Sequence, residues 1–123
     1  MVDGANVVGV VPDGWWRRRA EAAELLRDAL APVAERGLAD LPGPVEVVLV
    51  VEGAAARVSG SPTVRVVAAR GSGDDAIVSL VAREGAGRRC VVATADRGLR
   101  ARVAALGAGV VSPSALPRRS SLR

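Results

Sequence analysis

Several side chains on which enzymes commonly depend are missing from this sequence. Its 123 residues include no histidine, tyrosine or phenylalanine, and arginine supplies all 17 basic residues, so lysine is missing as well. Without histidine there is no Ser-His-Asp triad, no Cys-His nucleophile and no histidine-ligated zinc site. Without lysine there is no Schiff-base chemistry and no P-loop. Catalysis is therefore left to carboxylates, hydroxyls, arginine, the backbone and bound metal.

Cysteine is scarce, and long apolar runs are missing. The lone Cys90 cannot form a disulfide within the chain, and it lies in an apolar run that is typical of a buried position. No apolar stretch reaches the roughly 18 residues of a membrane-spanning helix. The first residues also lack the charged and apolar regions of a signal peptide. These features predict a cytoplasmic protein with no membrane partner.

Negative charge is in the minority, with 13 acidic against 17 basic residues and a net charge of +4. Three of the arginines, Arg118, Arg119 and Arg123, lie at the very end of the chain, and the rest of the sequence is nearly neutral. The net charge is therefore only a weak indication of a nucleic-acid partner.

Apolar, β-branched runs alternate with segments of helical spacing. Strands are predicted at residues 1–2, 45–51, 64–69, 90–94 and 110–111. Helices bounded by cap residues are predicted between Asp13 and Gly37, between Asp74 and Gly85, and between Asp96 and Gly107. This alternation predicts an α/β fold, a doubly wound parallel sheet of about five strands with helices on both faces. We expect one domain over residues 1–116 and a mobile basic tail over 117–123.

Carboxylates follow the strands of this predicted sheet. Asp3 follows the first strand, Asp74 and Asp75 open the second helix, and Asp96 follows the fourth strand. If the strand order is 3-2-1-4-5, the first and fourth strands are neighbours, and their carboxyl ends form the expected ligand crevice. The sequence therefore predicts that these carboxylates converge there.

Clustered carboxylates repel one another, and a divalent cation would relieve the repulsion. Oxygen ligands favour a hard ion, Mg²⁺ or Mn²⁺. Such a site suits phosphodiester hydrolysis, in which metal ions activate water and stabilise charge on the reacting oxygens. This chemistry requires neither histidine nor lysine.

Three short motifs occur in order along the chain: DGAN at residues 3–6, DDAIV at 74–78 and TADRGL at 94–99. In kind and order they resemble the PIN-like NYN domain, and particularly its YacP-like nuclease branch. The resemblance extends over residues 1–116. It implies a metal-dependent endoribonuclease that cleaves single-stranded RNA with Mg²⁺ or Mn²⁺.

The resemblance also implies roles for individual residues. Asp3, Asp74 and Asp96 match the family's metal-binding and catalytic aspartates, and Asp75 would be an auxiliary ligand. Asn6 matches the family asparagine, whose amide orients a carboxylate or the scissile phosphate.

Other residues are candidates for holding the substrate. Thr94 would supply a hydroxyl beside Asp96, while Arg97 and Arg100 flank that aspartate and could contact phosphates. Arg17, in the first turn of a predicted helix, is a candidate for a phosphate contact or for a solvated face. Glu52 follows the second strand, where relatives often have an acid.

Alternatives to the nuclease hypothesis remain open. Asp74, Asp75 and Asp96, each taken singly, are better explained as acids at a helix start, which favour the helix dipole by roughly 0.3–1 kcal/mol each. The fold could also serve as a catalytically silent RNA- or protein-binding module, or as a nucleotide phosphohydrolase with the same pocket. A second copy of the chain in a homodimer, an antitoxin or the ribosome would be candidate protein partners.

Overall fold

The computed structural model describes residues 1–4, 15–53 and 57–116, with the side chains of the second range described from residue 20 onward. The strands are β1 (Val2–Asp3), β2 (Gly37–Leu38), β3 (Leu41–Pro42), β4 (Val47–Val51), β5 (Val64–Ala68), β6 (Val91–Ala93) and β7 (Gly109–Val111). The helices are α1 (Trp15–Ala29), α2 (Ala31–Arg36), α3 (Gly73–Glu84) and α4 (Arg97–Ala105), and a 3₁₀ turn follows at Pro113–Ala115.

The main sheet has five parallel strands in the order β5-β4-β1-β6-β7. Counted along the chain within this sheet, the order is 3-2-1-4-5, which confirms the prediction. The short strand β1 therefore lies in the centre, where Val2 pairs with Leu49 of β4 on one side and with Ala93 of β6 on the other.

Helices cover both faces of the sheet, as predicted. Successive side chains of a strand point to opposite faces, so Val47, Leu49 and Val51 belong to one core while Val48 and Val50 belong to the other. This two-sided burial explains why the strand is apolar at every position. The helices contribute Ala23, Leu26 and Val33 to the first core, together with Leu30 between α1 and α2, and Ile77, Leu80, Val81, Leu99 and Val103 to the second.

The first helical segment differs from the prediction. One continuous helix was expected up to Gly37, but the structure divides the segment at Leu30 into α1 and α2. Pro32, at the start of α2, explains the break, because proline has no N–H and its ring clashes with the preceding helical turn. Gly37 does end the segment, with φ at 75°.

A short antiparallel hairpin, β2–β3, follows Gly37 and was not predicted. A Cβ atom on Gly37 would lie 1.9 Å from the carbonyl oxygen of Leu41, so the close approach of the two strands requires glycine there. In the part of the chain that the structure describes, no helix combines the length and apolar character needed to cross a membrane.

The fully buried strand β4 should contribute strongly to the stability of the fold. Leu49 is fully buried, whereas Leu25 on α1 is 50% exposed. We expect Leu49→Ala to lower the free energy of unfolding by about 2–5 kcal/mol, measured by urea denaturation. The matched substitution Leu25→Ala should change it by less than about 0.5 kcal/mol. Equal effects of the two substitutions would contradict this assignment of the core.

Candidate functional site

Acidic residues gather at the edge of the sheet where the parallel strands end. Asp3 is the last residue of β1, Glu52 follows β4, and Asp96 follows β6. Asp74 lies in the first turn of α3, which the chain enters from β5. Because β1 lies between β4 and β6, the strand order brings Asp3 to the middle of this edge.

Asp3 and Thr94 form the buried centre of the site. Val2 pairs with Ala93, so the next residues of these two parallel strands lie side by side. Asp3 is 4% exposed and Thr94 is fully buried, and the Thr94 hydroxyl donates a hydrogen bond of 2.9 Å to Oδ2 of Asp3. A buried carboxylate requires such donors, because burial removes it from water.

Thr94 also connects the buried centre to helix α4. Its hydroxyl oxygen accepts a hydrogen bond of 3.1 Å from the backbone N–H of Asp96. Asp96 is the N-cap of α4, and its Oδ1 accepts a bond of 2.9 Å from the N–H of Leu99. The predicted cap is therefore confirmed. A continuous chain of hydrogen bonds links Asp3, Thr94 and Asp96.

Asp74 is electrostatically coupled to the other acids. Its pKa is raised above the ordinary value of 3.8, first by burial and then by the negative charges of Asp96, Asp3 and Glu52. The positive charge of Arg102 offsets part of this shift. Mutual repulsion of this kind requires proximity. Asp74 therefore lies within electrostatic range of Asp3, Asp96 and Glu52 at this edge of the sheet.

Glu52 supports the beginning of helix α3. Its Oε2 accepts a hydrogen bond from the backbone N–H of Gly73. A Cβ atom at residue 73 would lie 2.6 Å from the same oxygen, so glycine is what lets the carboxylate reach the helix. The Ser72 hydroxyl accepts a second bond, of 3.1 Å, from the N–H of Asp75. These acceptors hold the first turn of α3, which carries Asp74.

The sequence indicated Glu52 only as an acid near the site, and its hydrogen bond to the start of α3 was not predicted. The informative signal was the Gly-Ser-Gly sequence at residues 71–73, immediately before the aspartates of α3. Glycine at the start of a helix leaves room for the close approach of another group. The prediction placed the helix start at Asp74, whereas α3 begins at Gly73 with Ser72 as its cap.

The remaining predicted residues lie in different settings. Asp75 forms an exposed ion pair of 3.0 Å with Arg102 of α4. Arg97 and Arg100 are exposed in the first turns of α4. Asn6 and the tail at 117–123 lie outside the described residues, as does the side chain of Arg17.

The donor types of this site fit a hard divalent cation, because carboxylate and hydroxyl oxygens are the ligands that Mg²⁺ and Mn²⁺ prefer. Among the described residues, however, no group of three or more His, Cys, Asp or Glu side chains is arranged to hold a metal ion. Mg²⁺ usually retains several waters and is held by only one or two carboxylates together with substrate phosphates. Burial and then the neighbouring negative charges raise the pKa of Asp74, and a bound cation would oppose both effects by favouring the ionised carboxylate.

Comparison with solved structures gives an informative match. No protein-family model and no curated protein matches the sequence. The chain is similar in structure to Rae1 (YacP) from Bacillus subtilis, with a TM-score of 0.68 and 21% sequence identity, over 93% of this chain and 69% of that one. At this identity the likeness shows the fold alone. It confirms the α/β architecture and relates it to YacP.

The hydroxyl of Thr94 should be important for stability. In Thr94→Val the Asp3 carboxylate and the Asp96 N–H both lose a hydrogen-bond partner. We expect a loss of about 1–3 kcal/mol in the free energy of unfolding, measured by urea denaturation. Thr63 is exposed, so Thr63→Val should be nearly neutral. A Thr94→Val protein as stable as Thr63→Val would show that these hydrogen bonds contribute nothing.

The raised pKa of Asp74 predicts a pH-dependent stability in metal-free buffer. Above that pKa the folded protein holds an ionised carboxylate at a free-energy cost that the unfolded chain does not have, and below about 3.8 both states are protonated and the cost disappears. Asp74→Asn should therefore be more stable than the parent near pH 7, and the difference should vanish as the pH falls below about 3.8.

Asp75→Asn is the matched control, since its side chain is exposed and paired with Arg102. Both substitutions remove a negative charge that interacts with the dipole of α3, but Asp75→Asn should bring no gain in stability near pH 7. Urea unfolding across the pH range measures both variants. A difference between Asp74→Asn and the parent that grows toward low pH would contradict the assigned direction of the shift.

Proposed function

We propose that this protein is a metal-dependent endoribonuclease that hydrolyses phosphodiester bonds of single-stranded RNA at the acidic edge of its sheet. The observation that carries the proposal is the placement of Asp3, Asp74 and Asp96 at the edge where the parallel strands end, where burial and then the neighbouring negative charges raise the pKa of Asp74. Three separate elements, β1, α3 and the cap of α4, supply these carboxylates. For stability alone such a concentration of like charge is unfavourable, so a functional role accounts for it better.

Asp3, Asp74 and Asp96 would hold Mg²⁺ or Mn²⁺, with Asp75 as an auxiliary ligand if it leaves Arg102. A bound ion of this kind lowers the pKa of water and stabilises negative charge on phosphate oxygens. The protein's own contribution is orientation. Thr94 holds Asp3 through its hydroxyl, and Glu52 with Ser72 holds the helix turn that carries Asp74.

Substrate contacts are proposed for residues around this cluster. Arg97 and Arg100 are exposed near the N-terminus of α4, where the helix dipole also favours a phosphate. Thr94 is fully buried, so we assign it to orienting the carboxylates more than to touching RNA. The roles of Asn6 and Arg17 are carried over from the sequence motifs and helix position as proposals.

The fold supports the same function. The three sequence motifs resemble the YacP-like nuclease branch, and the chain is similar in structure to a protein that carries the name YacP. The order of the sequence motifs and the likeness of the fold both support a relation to YacP.

One observation favours a second candidate, a catalytically silent RNA-binding module. The described residues contain no ready-made cluster of three or more metal-ligating side chains. Such a module would keep the fold and bind RNA without needing a metal ion. It differs from the nuclease in a way that a cleavage assay detects directly.

The test is cleavage of an end-labelled single-stranded RNA by the purified protein, with Mn²⁺ or Mg²⁺ and with a chelator. We expect internal cuts with the metal ion and none with the chelator. Asp96→Asn and Asp3→Asn should each lower the rate by about a hundredfold or more, because each removes a charge that positions the ion. Asp40→Asn is the matched control, because Asp40 is exposed in the β2–β3 turn.

Undiminished cleavage by Asp96→Asn, or equal cleavage in the chelator, would refute the proposal. RNA that is bound but never cut would identify the silent module. Phosphate release from free nucleotides without cleavage of RNA would identify a phosphohydrolase instead.

A further inference from the structure

The arginines of this protein differ in whether a carboxylate neutralises them. Where the strands of the sheet begin, Arg65 of β5 pairs with Glu84 at 2.7 Å and lies 3.8 Å from Glu46. Arg88, shortly before β6, pairs with the same Glu46 at 3.2 Å. Arg65 and Arg88 are therefore compensated by carboxylates, whereas Arg83 and Arg89 near the same edge form no ion pair within the described part of the chain.

A second set of arginines lies at the opposite edge of the sheet, where the strands end. Arg70, Arg97 and Arg100 are exposed, and within the described part of the chain none of them forms an ion pair with a carboxylate. Nearby acids are close together instead, around Asp74. The edge therefore presents negative charge in its middle and unpaired positive charge beyond it.

The topology places these arginines on opposite sides of the acids. Arg70 comes just after the edge strand β5, whose continuation Ala69 still bonds to Val51 of β4 at 2.8 Å. Arg97 comes just after β6 and begins α4. Between β5 and β6 lie β4 and β1, so the two positions are three strand spacings apart. At about 4.8 Å for each spacing, this is on the order of 14 Å.

We propose that an extended single-stranded RNA lies across this edge, with phosphates bound by Arg70 on the β5 side and by Arg97 and Arg100 on the α4 side. The proposal rests on the ribonuclease function and specifies its substrate class. A free mononucleotide is too short to contact both sides, so the arrangement selects a chain of several nucleotides. Arg70, which has no role in the acidic cluster, becomes a substrate-binding residue.

The metal-assisted site fits this path. A polyanion that crosses an acidic patch is repelled unless cations compensate the patch. Unpaired guanidinium groups on both sides hold the flanking phosphates by charge-assisted hydrogen bonds. The phosphate between them is then the one presented to Asp3, Asp74 and Asp96. The binding energy of the flanking nucleotides thus serves to position the scissile bond.

The matched pair of variants for the test is Arg70→Gln and Arg83→Gln. Both arginines are exposed, and neither forms an ion pair among the described residues. Arg83, in the last turn of α3, lies toward the opposite edge and donates to the backbone oxygen of Ser79 at 3.4 Å. The two substitutions change the net charge equally, so a general electrostatic effect would be the same for both.

Binding is measured by fluorescence anisotropy with a labelled eight-nucleotide oligouridylate. The protein carries Asp96→Asn to prevent cleavage, and Mg²⁺ is present throughout. We expect Arg70→Gln to weaken binding about fivefold at low salt and to reduce the slope of log K against log salt by about 0.7, the value for one phosphate contact on a single strand. Arg83→Gln should leave both quantities unchanged. The affinity for uridine diphosphate, measured by competition against the labelled octamer, should be the same for the two variants.

Equal effects of the two variants, or no RNA binding at all, would overturn the proposed path. This failure is distinguishable from failure of the ribonuclease proposal, because the parent protein would still cut RNA in the metal-dependent assay. An effect of Arg70→Gln that is as large on the competitor nucleotide as on the octamer would also refute the path.

Discussion

The hydrogen bond from the Thr94 hydroxyl to the buried Asp3 carboxylate is the contact on which the acidic site depends. It joins the ends of the two central strands, β1 and β6. The same hydroxyl oxygen holds the backbone of Asp96, and Asp96 in turn caps α4. This side chain therefore links the carboxylate of the central strand to the next helix. Its position depends on the parallel pairing of Val2 with Ala93.

Much of the fold could be predicted from the sequence, because the signals are local. The unbroken apolar run of β4 indicated a strand buried on both faces, and the caps at Asp96 and Gly37 were recognisable by residue type. Once the alternation of strands and helices is recognised, the connection rules for parallel sheets restrict the topology strongly. The order of the strands then implied which aspartates would approach one another.

Features that depend on contacts between distant residues were not predictable in the same way. The β2–β3 hairpin has strands of two residues each, too short for a periodic signal. The hydrogen bond from Gly73 to Glu52 joins residues that are 21 positions apart, and the local Gly-Ser-Gly sequence indicates room for an approaching group without identifying Glu52 as that group. The ion pair of Asp75 with Arg102 joins residues that are far apart in the sequence. It could not be inferred from the position of Asp75 next to Asp74. Two adjacent carboxylates thus have different surroundings, because successive side chains of a helix do not share a face.

The missing side chain of Gly73 has a consequence for the charge of the whole edge. Glu52 is close enough to raise the pKa of Asp74, yet its oxygen is also bound to the N-terminus of α3, where the helix dipole compensates part of its charge. A Cβ atom at position 73 would lie 2.6 Å from that oxygen, so a larger residue there would require the flexible Glu52 side chain to shift. A position that contributes no functional group therefore lets one acid of this edge serve also as an acceptor for the helix N-terminus.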